Sequence, residues 1–176
     1  MLKQLLILLF FVSIAVLEVV FSHSFSVLGV KPDILLIAVV AWGFQRGSEE
    51  GILVGLLGGL LEDIFSTSFY LHLITKPFIG FLSGAVRGGV SSSIAFIYPV
   101  TCGTMTVISY VLEITFSYFF FGRQLPSAYS LLLVIFIATI YNAILSAFLG
   151  PFFERLIQRI SGEDSTGRPE YSVYRF

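Results

Sequence analysis

The chain has 176 residues, 56% of them hydrophobic and only 12% charged, with a mean hydropathy of +0.94. A soluble domain carries about 25% charged residues, so this chain has too few polar side chains to cover a water-facing globule, and lipid is the solvent its composition implies. The net charge of −1 excludes a basic stripe and so implies no nucleic-acid partner, and a single cysteine, Cys102, excludes an internal disulfide or a thiolate metal cage.

Six apolar segments are predicted in chain order, over 4–25, 32–45, 50–65, 69–86, 94–121 and 129–153. Lys3 before the first run resembles the start of a secretory signal. Glu18-Val19-Val20-Phe21 offers no small-residue cleavage site, so a retained span is expected. The second segment holds an uninterrupted apolar run of 11 residues, 34–44. That is about 16 Å of helix against a hydrocarbon core of about 30 Å. Such a segment either thins the bilayer locally, or is buried among other spans, or forms a re-entrant pair with the third. Pro32 suits the first turn of the second helix, and Asp33 beside it suits the positive end of the helix dipole. Pro99 predicts a kink early in the fifth segment.

The Lys and Arg distribution sets the orientation. With a cytoplasmic N-terminus and six crossings, Lys3, Arg46, Arg87, Arg155, Arg159, Arg168 and Arg175 lie inside, and Lys31 and Arg123 outside. The expectation is an all-α polytopic bundle of about six transmembrane helices over 1–154. Residues 155–176 form a cytoplasmic amphipathic end followed by a flexible tail.

Glycine spacing is the most informative pattern. Gly47, Gly51, Gly55 and Gly59 recur every four residues in the third segment, with Gly58 among them; Gly80, Gly84 and Gly88 repeat the spacing in the fourth. At 100° per residue, Gly51, Gly55, Gly58 and Glu62 fall within about 60° of one face. Two glycine-lined helices joined by a short turn are expected to pack closely as an antiparallel pair.

Charges inside the apolar segments come next: Glu18, Glu62, Asp63, Lys76 and Glu113. A charge at a helix centre costs about 2.5–3.5 kcal/mol on insertion scales, so each should face protein or water. Glu62 lies about four residues before the turn and Lys76 about eight after it, which puts both near the same membrane depth on facing glycine surfaces and predicts a Glu62–Lys76 or Asp63–Lys76 pair. Cys102, Thr106, Ser109 and Glu113 make one polar stripe at helical spacing; Thr139, Asn142 and Ser146 make another. These stripes should face each other or a wet cavity. His23 and His72 stand without a second ligand at metal spacing and read as solvated or capping residues. No zinc pattern, phosphate loop, nucleophile elbow or paired-aspartate protease motif is present, and no cofactor is implied.

Lys31-Pro32-Asp33, the apolar run after it, Arg46, the glycines Gly51, Gly55, Gly58 and Gly59, and the closing Leu60-Leu61-Glu62-Asp63 together resemble the core of the MreD family of bacterial rod shape-determining membrane proteins. The specific likeness covers about residues 31–88. The stretch Thr67-Ser68-Phe69-Tyr70-Leu71 departs from the Pro/Leu-Gly turn that members often carry there. The resemblance implies a non-enzymatic inner-membrane scaffold that binds MreC and, indirectly, RodA, its penicillin-binding transpeptidase and MreB. It also implies a fold similar to the substrate-binding S components of energy-coupling-factor transporters. That likeness supplies the alternative, a membrane subunit for vitamin uptake.

Overall fold

The computed structural model describes residues 2–21, 26–66, 71–87 and 94–161; His23, Gly88 and the 162–176 tail lie outside the described residues. The fold is all-helical: α1 (Leu2–Phe21), α2 (Ile34–Arg46), α3 (Ser48–Phe65), α4 (His72–Arg87), α5 (Ile94–Phe121) and α6 (Ala128–Ser161). Among the described residues, three stretches are long and apolar enough to cross a membrane: Leu2–Val20, Ile97–Phe121 and Ala128–Ser161. Their outer faces carry exposed rings such as Phe119, Phe136 and Phe148. An apolar belt of this extent would aggregate in water and suits acyl chains.

α2 occupies the centre of the bundle. Every residue from Leu35 to Gly43 is buried, and α2 touches all five other helices. Its sequence, Leu-Leu-Ile-Ala-Val-Val-Ala-Trp-Gly, has no polar face to turn outward. Its 13 residues span about 20 Å. Of the three arrangements open to so short a segment, burial among the others is the one observed. A helix wholly enclosed by protein has no hydrophobic length to match to the bilayer.

The helix starts at Ile34, so Pro32 lies one residue before the cap and not in the first turn. Asp33 is the N-cap, and its side chain accepts from the Leu36 amide at 2.6 Å. At the far end Gly47 alone separates α2 from α3, serving as C-cap of one and N-cap of the other with φ +93°. That left-handed backbone strains any residue with a Cβ.

The α3–α4 seam is backbone against backbone. A Cβ on Gly51 would collide with the Gly80 carbonyl, one on Gly55 would stand 2.6 Å from Pro77 Cα, and one on Gly59 would meet His72. On the other side, a Cβ on Gly80 would strike Gly51, and one on Gly84 would strike Gly47 and Ser48. The pairing of early α3 with late α4 makes the two helices antiparallel, as the spacing predicts. Ser48 Oγ adds a hydrogen bond to the Phe81 carbonyl at 3.0 Å. Gly58 does not belong to this seam: it faces Val39 and Phe11 of α2 and α1. The contact follows the i, i+4 ridge through Gly51, Gly55 and Gly59, and Gly58 falls one residue off that ridge.

α6 continues past the expected end of the sixth segment. Phe153 and Ile157 are buried in the core with Phe11 and Trp42, so the apolar side of this last stretch packs inward.

The seam gives a direct test. Gly80→Ala forces two backbones apart and should destabilise the protein by about 1–3 kcal/mol, as overpacking does. Gly103→Ala meets nothing nearer than Thr139 Cγ2 at 3.4 Å, an ordinary contact, and should be nearly neutral. Unfolding midpoints of the two variants in detergent micelles measure the difference; equal midpoints would show that the seam tolerates a methyl.

Candidate functional site: an ionic cluster shared by six helices

The helices alternate in direction, which brings the end of α1, the start of α2, the end of α3 and the start of α4 to one level. Each of these ends carries a charged residue. Asp63 closes α3 and accepts from the His72 and Leu73 amides at 3.2 and 2.8 Å, capping α4. This fixes the first turn of α4 and sets Lys76 one turn below it.

Lys76 is fully buried. Its Nζ lies 2.8 Å from both Asp33 oxygens and 2.6 Å from Glu62 Oε2. The expected Glu62–Lys76 pair is therefore present. The alternative Asp63–Lys76 pair is not, because the Asp63 carboxylate is occupied by backbone amides. Asp33, predicted only as a dipole and cap residue, is the second partner of the ammonium. Glu18 on α1 completes the group; its Oε2 accepts from the Leu35 amide at 3.0 Å. The carboxylates of Glu18, Asp33 and Glu62 lie within 4.8 Å of one another, a spacing that suits a cation. Lys76 supplies that cation from within the chain.

His72 extends the cluster toward α5. Its Nε2 stands 3.6 Å from Glu62 and its Nδ1 3.5 Å from Glu113. The expectation of a solvated or capping histidine is thus corrected: its side chain is only 13% exposed and sits between two carboxylates. Ser109 Oγ donates to Glu113 Oε1 at 2.8 Å. From α6, Asn142 Oδ1 accepts from the Asp33 amide at 3.0 Å, and Asn142 Nδ2 donates to Thr106 Oγ1 at 3.2 Å. The two polar stripes of α5 and α6 therefore meet through Thr106 and Asn142. Ser146, buried one turn further on, turns back to the Ala143 carbonyl at 2.8 Å.

The cluster draws on all six helices, and its acids outnumber its bases: Glu18, Asp33, Glu62 and Glu113 face Lys76 and His72.

Arg46 lies elsewhere. At the opposite end of α2 it meets Glu50, which also accepts from Trp42 Nε1 at 3.0 Å and Lys3 at 3.3 Å. Glu50 thereby ties α1, α2 and α3 together; its i, i+4 spacing from Arg46 was the signal available in the sequence.

Two cavities border the ionic cluster. One of about 340 Å3 reaches Glu18 and Glu62 between α1 and α3, with Lys31 in its wall. The other, about 430 Å3, reaches His72 and Glu113 between α4, α5, the 122–127 loop and α6.

No protein-family model matches the chain, and no curated protein or solved structure is similar enough to match it.

Removing the ammonium leaves buried carboxylates unpaired. Lys76→Met should therefore cost about 3–5 kcal/mol, whereas Arg123→Ala, in the exposed loop, should cost less than about 1 kcal/mol. At the cap, Asp33→Asn keeps an acceptor for the Leu36 amide and loses only the charge, so it should be less damaging than Asp33→Ala. Unfolding curves of the four variants check both orders, and equal losses for Lys76→Met and Arg123→Ala would contradict a buried clasp.

Proposed function

We propose that the chain is a non-enzymatic membrane scaffold of the bacterial rod-elongation complex, a member of the MreD family. On this reading it crosses the inner membrane six times with both termini in the cytoplasm, α2 enclosed by the other five helices and α3 and α4 turning their outer apolar faces to lipid. Its direct partner is the transmembrane helix of MreC. Through MreC it is connected to RodA and its penicillin-binding transpeptidase, and on the cytoplasmic side to MreB.

One observation supports this reading above the others. The residues that carry the resemblance are those that make the bundle stiff: Asp33 clasps Lys76, Gly51, Gly55 and Gly59 form the backbone seam, Asp63 caps α4, and Arg46 anchors the other end. A scaffold needs a fixed outer shape, and small residues at a helix contact provide it in lipid. Around this unit, α1 and α6 leave an apolar groove of about 500 Å3 lined by Leu9, Phe10, Leu17, Phe152 and Leu156, a surface of the kind a partner helix can use.

A second reading, the membrane subunit of a vitamin transporter with the energy-coupling-factor S-component fold, draws on the 430 Å3 cavity at His72 and Glu113.

Mild-detergent purification of the tagged chain followed by mass spectrometry separates the two. The scaffold reading expects a bitopic coiled-coil partner; recovery of ATPase modules instead would replace it with the transporter reading. Gly55→Leu and Gly84→Leu, which wedge the seam open, should lose the partner. Wild-type recovery by both variants would show that partner binding does not depend on the seam.

A further inference from the structure

We propose that the 430 Å3 cavity between α4, α5 and α6 is a binding site for a protonated organic amine with an apolar body. The inference rests on this cavity alone and on neither reading of the whole chain. The volume lies within the range of about 300–1,000 Å3 common to small-molecule sites. Its inner end is formed by His72 and Glu113, members of a cluster that holds four carboxylates against one lysine and one histidine. A carboxylate such as Glu113 at the cavity wall, in a low-dielectric surround, attracts a cation.

Three further features specify the kind of cation. Glu113 Oε1 accepts from the Ser109 hydroxyl, the His72 ring stands 3.5 Å from it, and the Glu113 side chain remains 22% exposed, so an ammonium N–H can reach the carboxylate. Tyr110 and Tyr118 line the same cavity, and aromatic rings attract organic cations. Ile114 of α5 and Leu131, Val134 and Ile135 of α6 supply an aliphatic part of the wall, beside the polar Ser117, Gln124 and Ser130. A bare metal ion would find little use for this wall, whereas an alkyl or aryl body would bury against it. Arg123, in the 122–127 loop, also lines the cavity.

The companion cavity at Glu18 and Glu62 is the weaker candidate. Its carboxylates already serve Lys76 and the Leu35 amide.

The shared chemistry, an ammonium on an apolar body, can come from a free amine or from an ethanolamine phospholipid. Calorimetry on the full chain in phosphatidylglycerol nanodiscs, with phenethylamine and its neutral counterpart 2-phenylethanol as probes, tests the site. Phenethylamine should bind at least tenfold more tightly than the alcohol. Glu113→Gln should reduce that preference to twofold or less. Leu131→Trp, which fills the cavity and leaves the ionic cluster untouched, should weaken phenethylamine at least tenfold, and it carries the test if Glu113→Gln does not fold. Repeating the wild-type titration in phosphatidylethanolamine nanodiscs identifies the source: a tenfold loss through competition assigns the site to the lipid headgroup, and unchanged affinity assigns it to a free amine. Equal binding of amine and alcohol, no binding of either, or full amine affinity in Leu131→Trp would overturn the proposal.

Discussion

An ammonium enclosed by protein at the ends of three short helices is the constraint that the rest of this fold satisfies. A lysine at the centre of an apolar span is costly unless carboxylates meet it. Here Asp33 and Glu62 do so from α2 and α3, at hydrogen-bonding distance. That requires the start of α2, the end of α3 and the first turns of α4 to lie at one level. Asn142, roughly 21 Å along α6 from its first residue, meets the Asp33 amide at this same level. The cluster therefore lies deep beside α6, well below its start. The shortness of α2 and α4 follows: a longer helix would carry its charged end past the partners it needs.

The glycine seam and the ionic clasp depend on one another. Lys76 and Gly80 are one turn apart on α4, and Gly55 faces the backbone of Lys76 and Pro77. A side chain at Gly55 would push α4 outward and lengthen the contacts that Lys76 makes with Glu62 and Asp33. Conversely, the clasp holds α4 in the register that lets Gly51 meet Gly80. Lipid tails offer helices no hydrophobic reason to choose one neighbour over another. Close backbone approach supplies the dispersion contact, and a charge that only one register can satisfy supplies the choice.

Much of this was legible in the sequence, for identifiable reasons. Continuous apolar runs gave helices because no strand pattern alternates through them. The four-residue glycine repeats gave the α3–α4 seam because such spacing makes a ridge on any helix. Glu62 and Lys76 could be paired by counting outward from one turn. Asp33 could not be assigned to Lys76 in this way: it lies 43 residues upstream, and its position before an apolar run is fully accounted for by helix capping. His72 was hidden for a similar reason. Its partners, Glu62 and Glu113, belong to two other helices, so no local spacing marks it. Gly58 misled because angular projection treats a helix as a cylinder, whereas contact follows the inclined i, i+4 ridge.

The surplus of acids over bases separates the roles of the cluster. A clasp built only for packing would need Lys76 and two acids, or no charges, since apolar replacements of buried ion pairs are often as stable. Glu113 and His72 are not needed to neutralise Lys76, and both stand at a cavity wall beside tyrosines. Asp33 and Glu62 hold Lys76, while Glu113 makes no contact with the ammonium and lines a cavity with room for another molecule. The inner acids therefore fix which helices neighbour one another, and the outer acid adds a field that reaches the cavity. Because His72 touches both Glu62 and Glu113, whatever occupies that cavity acts on the same charges that hold α3 to α4.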